Sequence, residues 1–287
     1  MKGNEGYVNR VDISNGVVFL ESKLHNKSSE IRLNNLDRMI MIVMVTKGEV
    51  SIENHINKEK FSMKSGEISL YASSKQDITL TMKKSEKSNI FILFIADFFL
   101  KRYLSANLNE PIDFLYNKIQ KEISLEQIDS QWIDALSLYS VNRLLDVSVE
   151  DRMQSIRAEH RVIEFMMHRF SLLDILVVEV SKEELALAAR AKSVLLKDFI
   201  HPPTVDELSH LCATNASKLK KVFKKVYQIT LYGYVQKLRL KEANLLLKEE
   251  NLTIGEIAKR VGYKHQGHFA KLFFATYGVH PKVLIKG

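Results

Sequence analysis

Apolar positions along this chain change their period twice. From residue 17 to about 97 they come as short runs, at 17–20, 39–45, 50–52, 68–71, 78–82 and 90–96, with turn signals at Lys47-Gly48 and Ser65-Gly66. Runs this short and this closely spaced predict the strands of a small sandwich or barrel. From 100 to 180 there is no glycine and Pro111 is the only proline, so the expectation switches to helix. Within 151–173, Met153, Ile156, His160, Ile163, Met167 and Phe170 recur at alternating steps of three and four. That spacing predicts either a helix–helix seam between two copies of the chain or a helix packed on its own sheet. Ser181 with Glu184 three residues later opens a further helix, expected to reach about residue 200 before Pro202-Pro203 stops it.

The last third holds one pattern twice. TVDELSHLCAT begins at Thr204 and TIGEIAKRVGY at Thr253. Each Thr is followed at the third position by Glu (Glu207, Glu256), the pairing that satisfies helix-start amides reciprocally. Apolar residues then keep helical spacing: Val205, Leu208 and Leu211 in one copy, Ile254, Ile257 and Val261 in the other. A turn at Ala213 or Gly262 leads into a second helix, with Leu219, Val222, Phe223 and Val226, or Phe269, Leu272 and Phe273, on its apolar face. Short helix, tight turn, second helix is the helix-turn-helix pattern. Between the copies, 231–250 predicts a connecting helix of about 19 residues, roughly 28 Å long.

Charge now adds to the picture. The chain carries a net charge of +8, and 183–287 holds 18 Lys and Arg against 9 Asp and Glu. The excess basic charge therefore sits with the repeated motif, as for a polyanion-binding surface. In copy one, Ala216 and Ser217 start the second helix and Lys220, Lys221, Lys224 and Lys225 line its polar face. In copy two, Lys264, His265, Gln266, Gly267, His268 and Lys271 take those places. Small and amide residues at the first turn, followed by cations, suit a helix presented to base edges, and a solvated charged face is the alternative. Ser217, Lys220, Lys221, Gln266 and Lys271 are expected to read bases, with Lys224 and Lys225 on phosphates.

These residues resemble the DNA-binding domain of the AraC/XylS family over about 183–284. The stretch IGEIAKRVGYKHQGHFAKLFFATYGVHP carries most of the likeness, with the closing Phe273, Tyr277, Gly278 and Pro281, and with Tyr234, Arg239, Ala243, Leu246 and Leu247 in the connecting helix. Gln228 departs from the pattern by standing where the family usually has glycine, and Ile285 stands in place of its Arg after the final Pro. The resemblance implies a reader of two successive major grooves, commonly an activator acting with RNA polymerase. It further implies an N-terminal cupin-like barrel followed by dimerising helices. The fold class expected is α+β: a barrel over 1–98, a helical dimerisation segment over 99–180, and an all-α DNA-binding domain over 181–287.

Other classes find little support. The single cysteine, Cys212, builds neither a disulfide framework nor a cysteine zinc site within one chain. His25 and His55 are the only barrel histidines, and neither has a second His two residues away, so no metal or other cofactor and no catalytic group is expected. The N-terminus lacks a signal-like apolar core and no run reaches membrane-spanning length, so the expectation is a cytoplasmic protein without membrane contact. The partners expected are double-stranded DNA, RNA polymerase, a second copy of the chain and a small-molecule effector. Arg32 and Arg38 are the weak candidates for holding that effector. The alternative is a barrel that serves only oligomerisation or a partner protein.

Overall fold

The structure is a computed structural model that describes residues 7–24, 29–34, 37–75, 77–82, 88–105, 110–121, 125–146, 152–173, 181–248 and 252–285. His25 lies outside them. The chain divides into two compact units: Met1–Ile133 with Ser137–Leu173, and Asp134–Leu136 with Asp174–Gly287.

The first unit is a two-sheet β structure with helices. Its strands are β1 (Tyr7–Ser14), β2 (Val17–Leu24), β3 (Ser29–Asn34), β4 (Met39–Lys47), β5 (Glu49–Asn54), β6 (Lys60–Lys64), β7 (Glu67–Ser73), β8 (Asp77–Met82), β9 (Ser88–Ala96) and β10 (Glu126–Trp132). One sheet runs β1-β2-β9-β4-β7-β10 and the other β3-β8-β5-β6, with antiparallel pairing throughout. Met41, Val43, Val50, Ile52, Tyr71, Leu80 and Ile92 belong to the buried cluster of this unit. β4 and β9 lie inside their sheet and are buried almost end to end, which is why they read as continuous apolar runs.

β10 corrects the expectation of an all-helical segment after residue 98. It pairs with β7, Glu126 opposite Ala72 and Trp132 opposite Glu67, with a register shift between Gln127 and Asp129. Its sequence, EQIDSQW, has no apolar alternation to announce a strand, because it is an edge strand with mostly exposed side chains.

Helices follow: α1 (Asp97–Leu100), α2 (Pro111–Gln120), α3 (Ala135–Leu145) and α4 (Arg152–Ser171). α4 has two apolar stripes. Ala158, Val162 and Phe165 face its own sheet, with Phe165 ring to ring against Phe91 at 6.4 Å, and buried Arg169 pairs with Asp129 of β10 at 3.3 Å. The heptad residues occupy the other side. Met153, Ile156 and Met167 are exposed, as is His160, and Ile163 is half-buried. Phe170 departs from the expected seam, since it is buried within its own unit. Met167, Ile163 and Phe170 border a groove of about 380 Å³ beside Tyr103, Pro111 and Ile112.

The second unit is helical: α5 (Lys182–Lys197), α6 (Val205–Leu211), α7 (Ala216–Tyr227), α8 (Leu231–Leu246), α9 (Ile254–Arg260), α10 (Gln266–Tyr277) and α11 (Pro281–Leu284). α5 ends three residues before the expected point. Asp198 turns the chain there by accepting hydrogen bonds from the Ile200 and His201 amides at 3.1 and 2.7 Å. α8 has 16 residues, about 24 Å, and is shorter than the helix the sequence suggested. Among the described residues no helix is long and apolar enough to cross a membrane.

Candidate DNA-reading surface

Each short helix starts on the box read from the sequence. Thr204 Oγ1 accepts from the Glu207 amide at 3.3 Å, while Glu207 Oε2 accepts from the Thr204 amide at 2.7 Å. Thr253 and Glu256 repeat this at 3.2 and 2.8 Å. The bonds from the Thr amide and hydroxyl hold both carboxyls below the usual carboxylate range. The turns after the short helices bring the chain into the left-handed region at Ala213 (φ 52) and Gly262 (φ 88).

α7 and α10 are the second helices, 12 residues each. α7 buries Leu219, Val222, Phe223 and Val226 into a cluster with Leu187, Ala191 and Leu195 of α5 and Tyr234 of α8. The thiol of Cys212, buried in the same cluster, is pushed up by that burial. α10 buries Phe269 and Phe273, which continue a chain of rings from Tyr263 to Tyr277 at spacings of 5.5, 5.6 and 4.6 Å. These contacts fix which faces remain outside. Ser217, Lys220, Lys221 and Lys224 are exposed on α7 and Ala216 is half-buried; Lys264, His265, Gln266, Gly267, His268 and Lys271 are exposed at and along α10.

Three details were not visible in the pattern. Lys225 Nζ lies 2.6 Å from Glu184 Oε2 of α5, so the lysine assigned to phosphate already has an anion beside it. That hydrogen bond, with the Ser181 amide and the nearby charges of Lys225 and Lys221, holds the Glu184 carboxyl below its ordinary range. Gln266 rests near α9: a Cβ built on Gly255 would stand 3.2 Å from its Oε1. Arg239, noted in the sequence only through the resemblance, donates Nε to Phe199 O and an amino group to Ile200 O, both at 2.9 Å.

The effector candidates of the first unit point outward. The Arg32 side chain is 65% exposed and pairs with Asp77 at 3.1 Å, and Arg38 is exposed 3.8 Å from Asp97. Neither guanidinium enters the barrel core. Among the described residues no three His, Cys, Asp or Glu side chains gather closely enough to hold a metal ion.

A helix-turn-helix domain family matches residues 208–287. The chain is 35% identical over 98 residues to YdiP of Escherichia coli (strain K12), an uncharacterized HTH-type transcriptional regulator, covering 31% of this chain and 32% of YdiP. It is 35% identical over 81 residues to the HTH-type transcriptional regulator AlkR of Acinetobacter baylyi (strain ATCC 33305 / BD413 / ADP1), covering 28% of this chain and 26% of AlkR. The chain thus spans about a third or less of the length of these two relatives. Among solved structures, ToxT from Vibrio cholerae aligns over 95% of this chain and all of its own, at 16% identity and a TM-score of 0.35. Residues 208–287 thus match a helix-turn-helix domain family, and over part of its length the chain is similar to HTH-type transcriptional regulators.

Proposed function

We propose that the chain is a sequence-specific, DNA-binding transcription activator that reads two successive major grooves with α7 and α10. The observation that carries this is the pair of 12-residue helices, each on a boxed helix and a left-handed turn, each leaving a polar face outside. Phosphate contacts fix such a domain on the duplex, and base contacts select the site. Ser217, Lys220, Lys221, Gln266 and Lys271 remain the base-reading set, with Gln266 swinging away from Gly255 to do so. Lys224 takes a phosphate directly, and Lys225 does so once it leaves Glu184. The test is site selection by the full chain from randomised duplexes. Lys221→Ala and Gln266→Ala should each cost about 1–3 kcal/mol on the selected site and relax preference in separate halves of it. Unchanged base preference in both variants overturns this assignment.

In the same reading α4 joins two copies, the first unit senses a small-molecule effector, and RNA polymerase is the partner at the promoter. The exposed stripe of Met153, Ile156 and Met167 supports the dimer, because α4 uses a different stripe for its own sheet. Sedimentation of the full chain and of Met153→Glu/Met167→Glu tests it. A dimer that the double variant converts to monomer supports the seam, and unchanged mass in the variant overturns it.

A further inference from the structure

The second helix-turn-helix carries a pocket of about 620 Å³ that neither the base-reading set nor the capping scheme uses. Its wall bears Arg239, Lys259 and Lys264 and, among the described residues, no carboxylate. Arg239 is held rigidly by the Phe199 and Ile200 carbonyls, and its guanidinium lies 5.6 Å over the Tyr263 ring. A guanidinium has five N–H donors, so those two bonds leave it able to donate again. Fixing a long cation in advance removes most of the entropy that its side chain would lose on meeting an anion.

Two further features mark the place as built for a ligand rather than left over between helices. Gly262 forms part of the wall at φ 88, and a Cβ there would come within 2.9 Å of Ile200 O and 3.0 Å of Arg239 Cζ. Only glycine leaves the arginine where it is. Tyr263, 7% exposed, also lines the pocket, and its hydroxyl is buried with no hydrogen-bond partner among the described residues. Burial pushes its pKa up to about 12, so at neutral pH it is a protonated donor. A buried, unpaired donor beside cations costs free energy unless something satisfies it.

The lining residues Lys264 and His268 flank Gln266 and Gly267, the start of α10, so the pocket opens beside the turn proposed to approach DNA. His265, the residue before α10, makes no side-chain cap, whereas Asn215 closes the start of α7 by accepting from the Lys218 amide at 2.8 Å. His265 therefore puts no side-chain acceptor on the helix-start amides of α10, which favours an anion beside them. We propose that this pocket seats one phosphate of the DNA backbone at the edge of the groove that α10 enters, an inference that rests on the DNA-reading role above. Lys259 and Lys264 hold the charge beside the fixed Arg239, and the seat fixes the depth and register of α10 without adding base preference.

The experiment uses the full chain and its Lys259→Gln/Lys264→Gln variant, both positions being exposed. Affinity for the selected duplex is measured against salt, with single neutral methylphosphonates placed in turn through the α10 half. The variant should lower the slope of log affinity against log salt by about 0.9, the contribution of one phosphate, and leave base preference unchanged. One methylphosphonate position should produce the same loss in the wild type and none further in the variant. An unchanged slope with DNA binding intact overturns the proposal. Inorganic phosphate, titrated while the His268 ring resonances are followed, separates the sources. A shift abolished by the double substitution, without any methylphosphonate effect, means that the pocket takes free phosphate and overturns the DNA assignment. Wild-type protein that binds no duplex sinks the DNA-reading role instead, and the phosphate titration then decides whether the pocket holds phosphate at all.

Discussion

The two helix-turn-helix copies reach the same backbone with different chemistry. α7 starts on an Asn215 cap and ends on Gln228 in the left-handed region at φ 54; α10 starts on the uncapped His265 and ends on Gly278 at φ 72. The inter-helix turn is Ala213 in one and Gly262 in the other. The first copy presents four lysines, one of them already paired with Glu184, and the second presents histidines, an amide and two lysines, Lys264 and Lys271. Lysine is a compact point charge on a flexible stem, good for attraction and poor for fixed geometry. Copy one thus suits electrostatic anchoring on the duplex, and copy two, with its rigid Arg239 pocket, suits placement.

The largest contrast to break is at the turn. Gly262→Ala puts a Cβ against the Ile200 carbonyl and Arg239 in a backbone region that side chains resist. It should destabilise the second copy by about 2 kcal/mol or more. Ala213→Gly, at the equivalent turn, relieves left-handed strain and should raise stability by up to about 1 kcal/mol. Hydrogen exchange of the α6–α7 and α9–α10 amides in the full chain reads each copy separately. Equal, small effects at both turns would mean that the pocket side of Gly262 yields easily, and the cradle argument would weaken with it.

The helix ends give a contrast about half that size. Gln228 adopts the left-handed C-cap and spends its amide on the Lys225 carbonyl at 2.7 Å, while Gly278 adopts it without steric cost. Gln228→Gly should stabilise by about 1 kcal/mol and Gly278→Ala should destabilise by a similar amount. Thermal melts that move in the same direction for both would show that the Gln228 amide bond outweighs the strain.

How much of this was legible along the chain follows from how local each feature is. The paired boxes at Thr204–Glu207 and Thr253–Glu256, and the apolar spacing after them, lie within one or two helical turns. Sequence alone therefore placed α6, α7, α9 and α10, and Ser217, Lys220, Lys221, Gln266 and Lys271, expected on their outer faces, are exposed there. The departure at Gln228 was also readable, and the structure puts that residue in the left-handed region where a glycine is preferred. What escaped depends on distant partners. β10 exists because β7 offers an edge more than fifty residues away in sequence. Lys225 meets Glu184 across 41 positions, and Arg239 reaches the Phe199 and Ile200 carbonyls across 40 and 39. A lysine on a polar helix face looks free until the neighbouring helix is in place.

The Glu184–Lys225 pair is the finest difference between the copies. Among the described residues no carboxylate pairs with Lys271 of α10. Glu184→Gln keeps a side chain able to close the box with Ser181 and removes one negative charge beside Lys225 and Lys221. Binding to any duplex should tighten by about threefold at low salt, and the salt slope should steepen by up to about 0.9, with site preference unchanged. The gain should vanish in Glu184→Gln/Lys225→Ala, because no ammonium is then released. The same pair carries a pH signature. The folded Glu184 carboxyl lies below its unfolded value, chiefly through the Lys225 bond. Its contribution to stability is therefore present above the ordinary glutamate value of about 4.3, and it is lost as pH falls through the lowered folded value. Glu184→Gln should flatten that acid limb for the α5–α7 amides and leave the α9–α10 amides unaffected. Equal flattening in both copies would mean that the carboxylate stabilises the whole unit rather than restraining one DNA-reading helix.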